Sequence, residues 1–64
     1  MTEEQLYDLL GTRHIPGTAE QLRILCTRMS ELLELKGEVW VRANREKLIS
    51  EWEYALRYLI SASS

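Results

Sequence analysis

The stretch TAEQLRILCTRMSELLELKG, residues 18–37, largely determines the fold of this chain. Thr18 lies three positions before Gln21, which is the capping-box spacing typical of a helix start. Gly37, at the other end, is the residue type that most often ends a helix. The stretch therefore predicts an α-helix over about residues 19–36.

This helix has one apolar face. At about 100° per residue, six side chains fall within about 60° of one line along the helix. They are Leu22, Leu25, Cys26, Met29, Leu32 and Leu33. We expect this near-heptad row to be the core face of the helix.

A second apolar row of similar length follows Gly37. It consists of Val41, Leu48, Ile49, Trp52, Ala55, Leu56, Leu59 and Ile60. The pattern predicts a third helix over about residues 38–61, folding back at Gly37 so that the two apolar rows meet in a long antiparallel hairpin. Arg45 falls on the same row, and we expect its stem to pack at the rim with its head on a carboxylate such as that of Glu31 or Glu38.

Two alternatives exist for the segment after Gly37. In one, residues 38–43 are extended, because they contain β-branched residues and a tryptophan, and Asn44 caps a shorter helix. In the other, the two long helices fuse through Gly37 into one rod. That rod would expose both apolar rows in a monomer and would require a coiled-coil dimer.

The N-terminal segment predicts a short helix over about residues 3–10. Thr2 and Gln5 repeat the capping-box spacing, and Gly11 stands where a left-handed residue ends a helix. Residues 11–17 form a loop that contains the turn pair Pro16-Gly17. A helix of this length is unstable alone, so it must dock on the rest of the chain.

Length and composition limit the class of protein. Sixty-four residues predict a single all-α domain, residues 1–64, with a thin core. Eight basic and ten acidic residues give a net charge of −2, and the basic residues are dispersed, which disfavours nucleic acid as a partner. One cysteine, an acidic N-terminus and apolar runs of at most three residues favour a cytoplasmic protein without a membrane segment.

The predicted third helix carries a second row of side chains almost opposite its core face. Trp40, Lys47, Tyr54 and Tyr58 lie within about 40° of one another on a helical wheel. Ile24 and Leu35 of the preceding helix also point away from its core face. Aromatic rings with an interleaved cation are typical of protein interfaces, so we expect these four residues to bind a partner.

The alternative interpretation of this second row is structural. The short N-terminal helix and the 11–17 loop would then fold over it. A helix of eight residues is only about 12 Å long, whereas the row spans roughly 27 Å. We therefore expect part of the row to stay free and to form a homodimer seam, giving an oligomeric helical bundle.

The sequence carries no pattern typical of catalysis, a metal site or a cofactor. Cys26 lies on the apolar face and His14 on a loop, so they do not predict a nucleophile and its base. Arg13 and His14 precede a helix start, where an anion is favoured, but a solvated loop is the simpler interpretation. We expect a protein that is not an enzyme and needs no metal or cofactor.

The function predicted from the sequence is therefore that of a small protein–protein interaction module or accessory subunit. It would bind a second copy of itself and could also bind another protein. The alternative is a small nucleic-acid-binding regulator, because three helices in a short chain resemble a helix-turn-helix arrangement. The acidic net charge and the length of helix 19–36 disfavour that alternative.

Overall fold

A computed structural model describes the backbone of residues 1–63 and the side chains of residues 1–58. Within this part the chain is all-α, with four helices: α1 Glu3–Leu10, α2 Ala19–Lys36, α3 Glu38–Ala43 and α4 Arg45–Ser63. None of the described helices combines the length and the apolar character needed to cross a membrane. The all-α class predicted from the sequence is confirmed.

The first two helices begin as their capping boxes predict. The Gln5 amide donates to Thr2 Oγ1 at 3.2 Å, and the Thr2 amide donates to Gln5 Oε1 at 2.9 Å. Thr18 and Gln21 form the same reciprocal pair at 3.2 and 2.8 Å. Each box satisfies donors that the first turn of a helix leaves without an intrahelical acceptor. Both helices occupy the ranges expected from the sequence.

Gly37 ends α2 and turns the chain. Its amide still donates to the Leu33 carbonyl at 3.0 Å, but its φ of 87° and ψ of 162° leave the helical region. That combination is essentially restricted to glycine, because a Cβ would clash with the backbone. The chain then enters α3, whose first backbone bond runs from the Val41 amide to the Gly37 carbonyl. Helix α2 therefore ends here, and a rod that continues through Gly37 is not formed.

The prediction of one uninterrupted helix over residues 38–61 is wrong at Asn44, which separates α3 from α4. The Asn44 side-chain amide donates to the Trp40 carbonyl at 2.8 Å, so it caps the end of α3. The first bond of α4 then runs from the Leu48 amide to the Asn44 carbonyl. Asparagine favours such breaks because its side chain competes with the helical hydrogen bonds of the backbone.

The extended alternative for residues 38–43 is also wrong, since this segment is helical. Only its second half holds: a shorter helix does begin after Asn44. The β-branched residues that suggested a strand instead serve packing. Val41 is completely buried, so tertiary contact overrides its weak helix propensity.

The core is one cluster of apolar side chains drawn from every helix and from the loop. Its buried members are Leu6, Leu9, Leu10, Ile15, Leu22, Leu25, Cys26, Met29, Val41, Trp52 and Leu56. Leu32, Leu33, Leu48 and Ile49 pack against the cluster but are only partly buried. The predicted core positions Leu59 and Ile60 lie outside the side chains that the structure describes.

Helix α1 packs against all three other helices and covers one flank of the molecule. The N-terminal amine of Met1 donates to Ser30 Oγ of α2 at 3.1 Å. Arg42 of α3 reaches α1 through the Asp8 carbonyl oxygen at 3.4 Å and pairs with Glu38 at 2.9 Å. These contacts fix α1 along one side of α2 and α3.

The 11–17 loop packs into the core and is hydrogen-bonded to α4. Ile15 is buried in the core, and the Trp52 indole Nε1 donates to the Pro16 carbonyl oxygen at 2.8 Å. This contact spans 36 residues of sequence and places the middle of α4 beside the start of α2. Sequence reasoning assigned Trp52 to the core but missed its loop partner, because no local pattern connects the two.

The indole bond can be tested by replacing Trp52 with Phe. Trp52→Phe keeps a large buried ring but removes the donor to the Pro16 carbonyl. We expect the free energy of unfolding to fall by about 1–3 kcal/mol, since a partly buried hydrogen bond is lost and the smaller ring leaves unfilled volume in the core. The measurement is urea unfolding followed by circular dichroism. Tyr7→Phe, which keeps the ring of a partly buried residue outside the proposed binding surface, is the control; equal effects of the two changes would contradict the role of this bond.

The turn at Gly37 predicts a position-specific cost for asparagine. Asn adopts the left-handed region near φ 69° and ψ 18°, which Gly11 occupies, but not the region of Gly37. Gly37→Asn should therefore destabilise the fold by about 1–3 kcal/mol. Gly11→Asn should cost less than about 1 kcal/mol. Urea unfolding of both variants checks this, and a Gly37 variant as stable as the Gly11 variant would be the contrary result.

Candidate protein-binding surface

Large apolar side chains remain exposed on three of the helices. The group comprises Ile24, Leu35, Val39, Trp40, Tyr54 and Tyr58. Leu35, near the end of α2, is 78% exposed. Single exposed apolar residues are ordinary, but Leu35 also lines an open groove, and exposed apolar surface at a groove is typical of an interaction surface.

An open groove of about 290 Å³ runs between α2 and α4. Its floor is formed by the core residues Leu25, Met29 and Trp52. Apolar walls rise on both sides, and charged residues stand along them. The wall residues are Leu32, Leu35 and Leu48, and the charged ones are Arg28, Glu31 and Glu51.

The groove is open because α1 lies on the other flank of α2. Ser30 and Leu33 lie on the flank of α2 that faces Met1 and α1. At about 100° per residue, Arg28 and Leu35 then point to the opposite flank, about 100–120° from the buried Met29. The chain has no further helix to place there among its described residues. One flank of the α2–α4 pair is consequently covered and the other is exposed.

Two of the four predicted binding residues form a pair on the exposed surface of α4. The rings of Tyr54 and Tyr58 meet edge to face, with centroids 5.3 Å apart, and their hydroxyl oxygens are 3.4 Å apart. The side chains are 60% and 64% exposed. The hydrogen bond to Tyr58 raises the pKa of Tyr54 above its ordinary value, and desolvation adds to this effect. Tyr58 follows Glu51 by seven residues and shares its flank of α4.

Trp40 and Lys47 occupy different helices. Trp40 is on α3, where it is 38% exposed, and Lys36 Nζ lies over its ring at 5.6 Å from the centroid. Lys47 is exposed on α4. Because Asn44 interrupts the helix between them, one helical wheel no longer relates Trp40 to the α4 residues. The cation that contacts the tryptophan ring is Lys36, which the sequence pattern did not single out.

Arg45 makes a different contact from the one expected. Its Nη1 donates to the Arg42 carbonyl oxygen at 3.0 Å, so the prediction of a carboxylate partner is wrong. The break at Asn44 leaves carbonyl groups free at the end of α3, and a guanidinium is a suitable donor for them. The residue therefore serves the α3–α4 junction, and Glu38 pairs with Arg42 instead.

Arg13 and Cys26, which were considered from the sequence for anion binding and catalysis, make structural contacts. Arg13 makes a two-pronged ion pair with Glu4, at 2.8 and 3.2 Å, and its guanidinium lies over the Tyr7 ring. Cys26 is buried, and desolvation raises the pKa of its thiol, opposed in part by the N-terminal amine. A thiol of this kind is poorly nucleophilic. In the described residues, no group of three or more His, Cys, Asp and Glu side chains is arranged to hold a metal ion.

Sequence reasoning found part of this surface and missed the groove. It identified the two tyrosines, and it placed Ile24 and Leu35 away from the core face. Leu32 and Leu48 were assigned to the core; they do pack against it, but they are only partly buried and also form the groove walls. The available signal was the length of α1, which at eight residues covers too little of the two long helices.

No family model matches the chain, and no curated protein or solved structure is found to be similar to it. The features of the molecule that bear on its function are therefore its own residues and contacts. Those are an open apolar groove with charged walls, a pair of exposed tyrosines and a tryptophan under a lysine.

Proposed function

We propose that this chain is a small protein–protein interaction module or accessory subunit that acts in the cytoplasm and has no catalytic activity of its own. The observation that supports this most strongly is the open groove between α2 and α4, whose floor belongs to the core. A surface of this kind gains free energy when a partner removes it from water. The exposed tyrosine pair of α4 supplies side chains typical of interface hot spots.

The fold proposed for this role is an antiparallel helical hairpin completed by a second copy. The bond between Trp52 and Pro16 supports the antiparallel direction, since it brings the middle of α4 to the start of α2. A hairpin with one open flank becomes a four-helix bundle when two copies place their open flanks together. Twofold pairing is the commonest arrangement among soluble homo-oligomers.

Domain size favours the same proposal. A domain of about 60 residues buries a smaller fraction of its surface than a larger one and is correspondingly marginal in stability. Pairing would cover Leu35 and the half-exposed walls of the groove, adding apolar burial at roughly 25 cal/mol for each Å² removed from water. Trp40, Lys47, Tyr54 and Tyr58 are the proposed partner-binding residues, and Tyr58 shares the flank of the groove residue Glu51 on α4.

The charges at the groove support a protein partner better than a nucleic acid. Two carboxylates, of Glu31 and Glu51, stand with one guanidinium, of Arg28. A nucleic-acid site needs a cluster of basic side chains that neutralises several phosphates. Electrophoretic mobility shift with duplex DNA should accordingly show no salt-sensitive binding.

Sedimentation equilibrium from low to high micromolar concentration tests the proposal. We expect the native chain to form dimers, and Tyr54→Ala and Tyr58→Ala to weaken them by about tenfold or more, because truncation of an interface hot spot costs over about 1 kcal/mol. Arg57→Ala, an exposed change on another flank of α4, is the control and should leave the dimer unchanged. A monomer at high micromolar concentration, indifferent to these changes, would contradict the homodimer.

A further inference from the structure

We infer that the α2–α4 groove is the seam of a twofold dimer in which α2 of each copy lies on α4 of the other, with Arg28 facing Glu51 across the seam. This inference rests on the proposed function and specifies the partner, the surface and the register. It commits to a second copy of this chain as the occupant of the groove. Three properties of the groove support it: its apolar walls, the position of its charges and its dimensions.

The walls and the floor are those of half a helical bundle. Met29 and Trp52 are almost completely buried, and Leu32, Leu35 and Leu48 stand beside them with greater exposure toward the open side. This gradient from core to surface is what an amphipathic helix of a partner requires for docking. The open side of α2 is itself such a helix face, because Leu35 points outward from it.

Of the three groove charges, Arg28 and Glu51 form a complementary pair on opposite walls, and Glu31 is a further carboxylate on the α2 wall. Arg28 is on the α2 wall and Glu51 is on the α4 wall. Both side chains are exposed, and the ion pairs within the described side chains use Arg13 and Arg42 instead. The two walls therefore present opposite charges at these positions.

Symmetry turns this arrangement into two identical ion pairs. A twofold axis parallel to the helices places α2 of one copy over α4 of the other. Arg28 adjoins the floor residue Met29 in sequence and Glu51 adjoins Trp52, and the proposed register sets these two charges at matching height along the seam. The axis preserves height along the helices, so each Arg28 meets the second copy's Glu51. A surface of one charge would instead repel itself.

The dimensions of the face suit a stable dimer. Helix α2 has 18 residues and is about 27 Å long, and two adjacent helices are about 20 Å wide. The footprint is roughly 500 Å² before surface relief is included. Specific protein interfaces bury about 800 Å² of accessible surface on each partner, and side-chain relief makes the accessible area larger than the footprint.

Charge reversal in mixed samples tests this register. Arg28→Glu alone brings two pairs of like charges together, and so does Glu51→Arg alone. Each variant should therefore dimerise about tenfold more weakly, or worse, than the native chain. In an equimolar mixture, a heterodimer of the two variants places the introduced glutamate against the introduced arginine, and the native Arg28 against the native Glu51. We expect sedimentation to show that the mixture regains native affinity.

The mixture also separates the inference from its alternatives. An ion pair within one copy would not be restored by mixing two chains. Glu46→Arg, an exposed reversal on the opposite flank of α4, is the control for charge alone and should leave dimerisation unchanged. A native dimer whose affinity ignores both reversals, or that mixing does not restore, would overturn this seam and leave the homodimer standing. A native chain that stays monomeric would overturn both.

Disulfide trapping provides a second measurement that does not depend on repulsion. In a Cys26→Ser background, Arg28→Cys and Glu51→Cys each give a chain with one thiol. Mixing them under oxidising conditions should produce a 28–51 cross-link as the main product, because the proposed seam brings these positions together. Circular dichroism checks that each variant is folded. Cross-linking no faster than that of the control pair Glu46→Cys with Arg23→Cys would contradict the register.

Discussion

The architecture depends on the short length of α1. This helix has eight residues, and it must cover α2 and α4, which have 18 and 19 residues. It does so on one flank only, where Leu6 is completely buried and the Met1 amine reaches Ser30. On the other flank the groove stays open, with buried residues at its floor and more exposed leucines on its walls. The proposed interaction surface is thus a consequence of how the core is built, because α1 is too short to cover both flanks.

Two features of the chain determine how α2 and α4 are placed relative to each other. The bond between the Trp52 indole and the Pro16 carbonyl attaches the middle of α4 to the loop before α2. At the other end, Gly37 and Asn44 bound a six-residue helix that is inserted between α2 and α4. This insertion directs Val41 into the core beside α1 and leaves open walls on the far flank.

The sequence predicted those elements whose signals are local. Two capping boxes, the apolar face of α1 and the end of α2 at Gly37 all follow from residues within a few positions of one another. The break at Asn44 was harder, since the apolar row continues in phase from Val41 to Trp52 and hides it. Ile15 in the core and the groove itself depend on contacts between distant parts of the chain, which periodicity does not encode. The tyrosine pair was accessible because i and i+4 neighbours meet on any helix.

If the uncovered flank of the α2–α4 pair is the surface that a second copy occupies, its side chains must touch that copy. An isotope-filtered nuclear Overhauser experiment on a mixture of ¹³C-labelled and unlabelled chains addresses this point, because it detects only contacts between copies. We expect intermolecular signals at the methyl groups of Leu32, Leu35 and Leu48. A dimer whose intermolecular signals come instead from α1, with these three leucines silent, would refute the proposed surface.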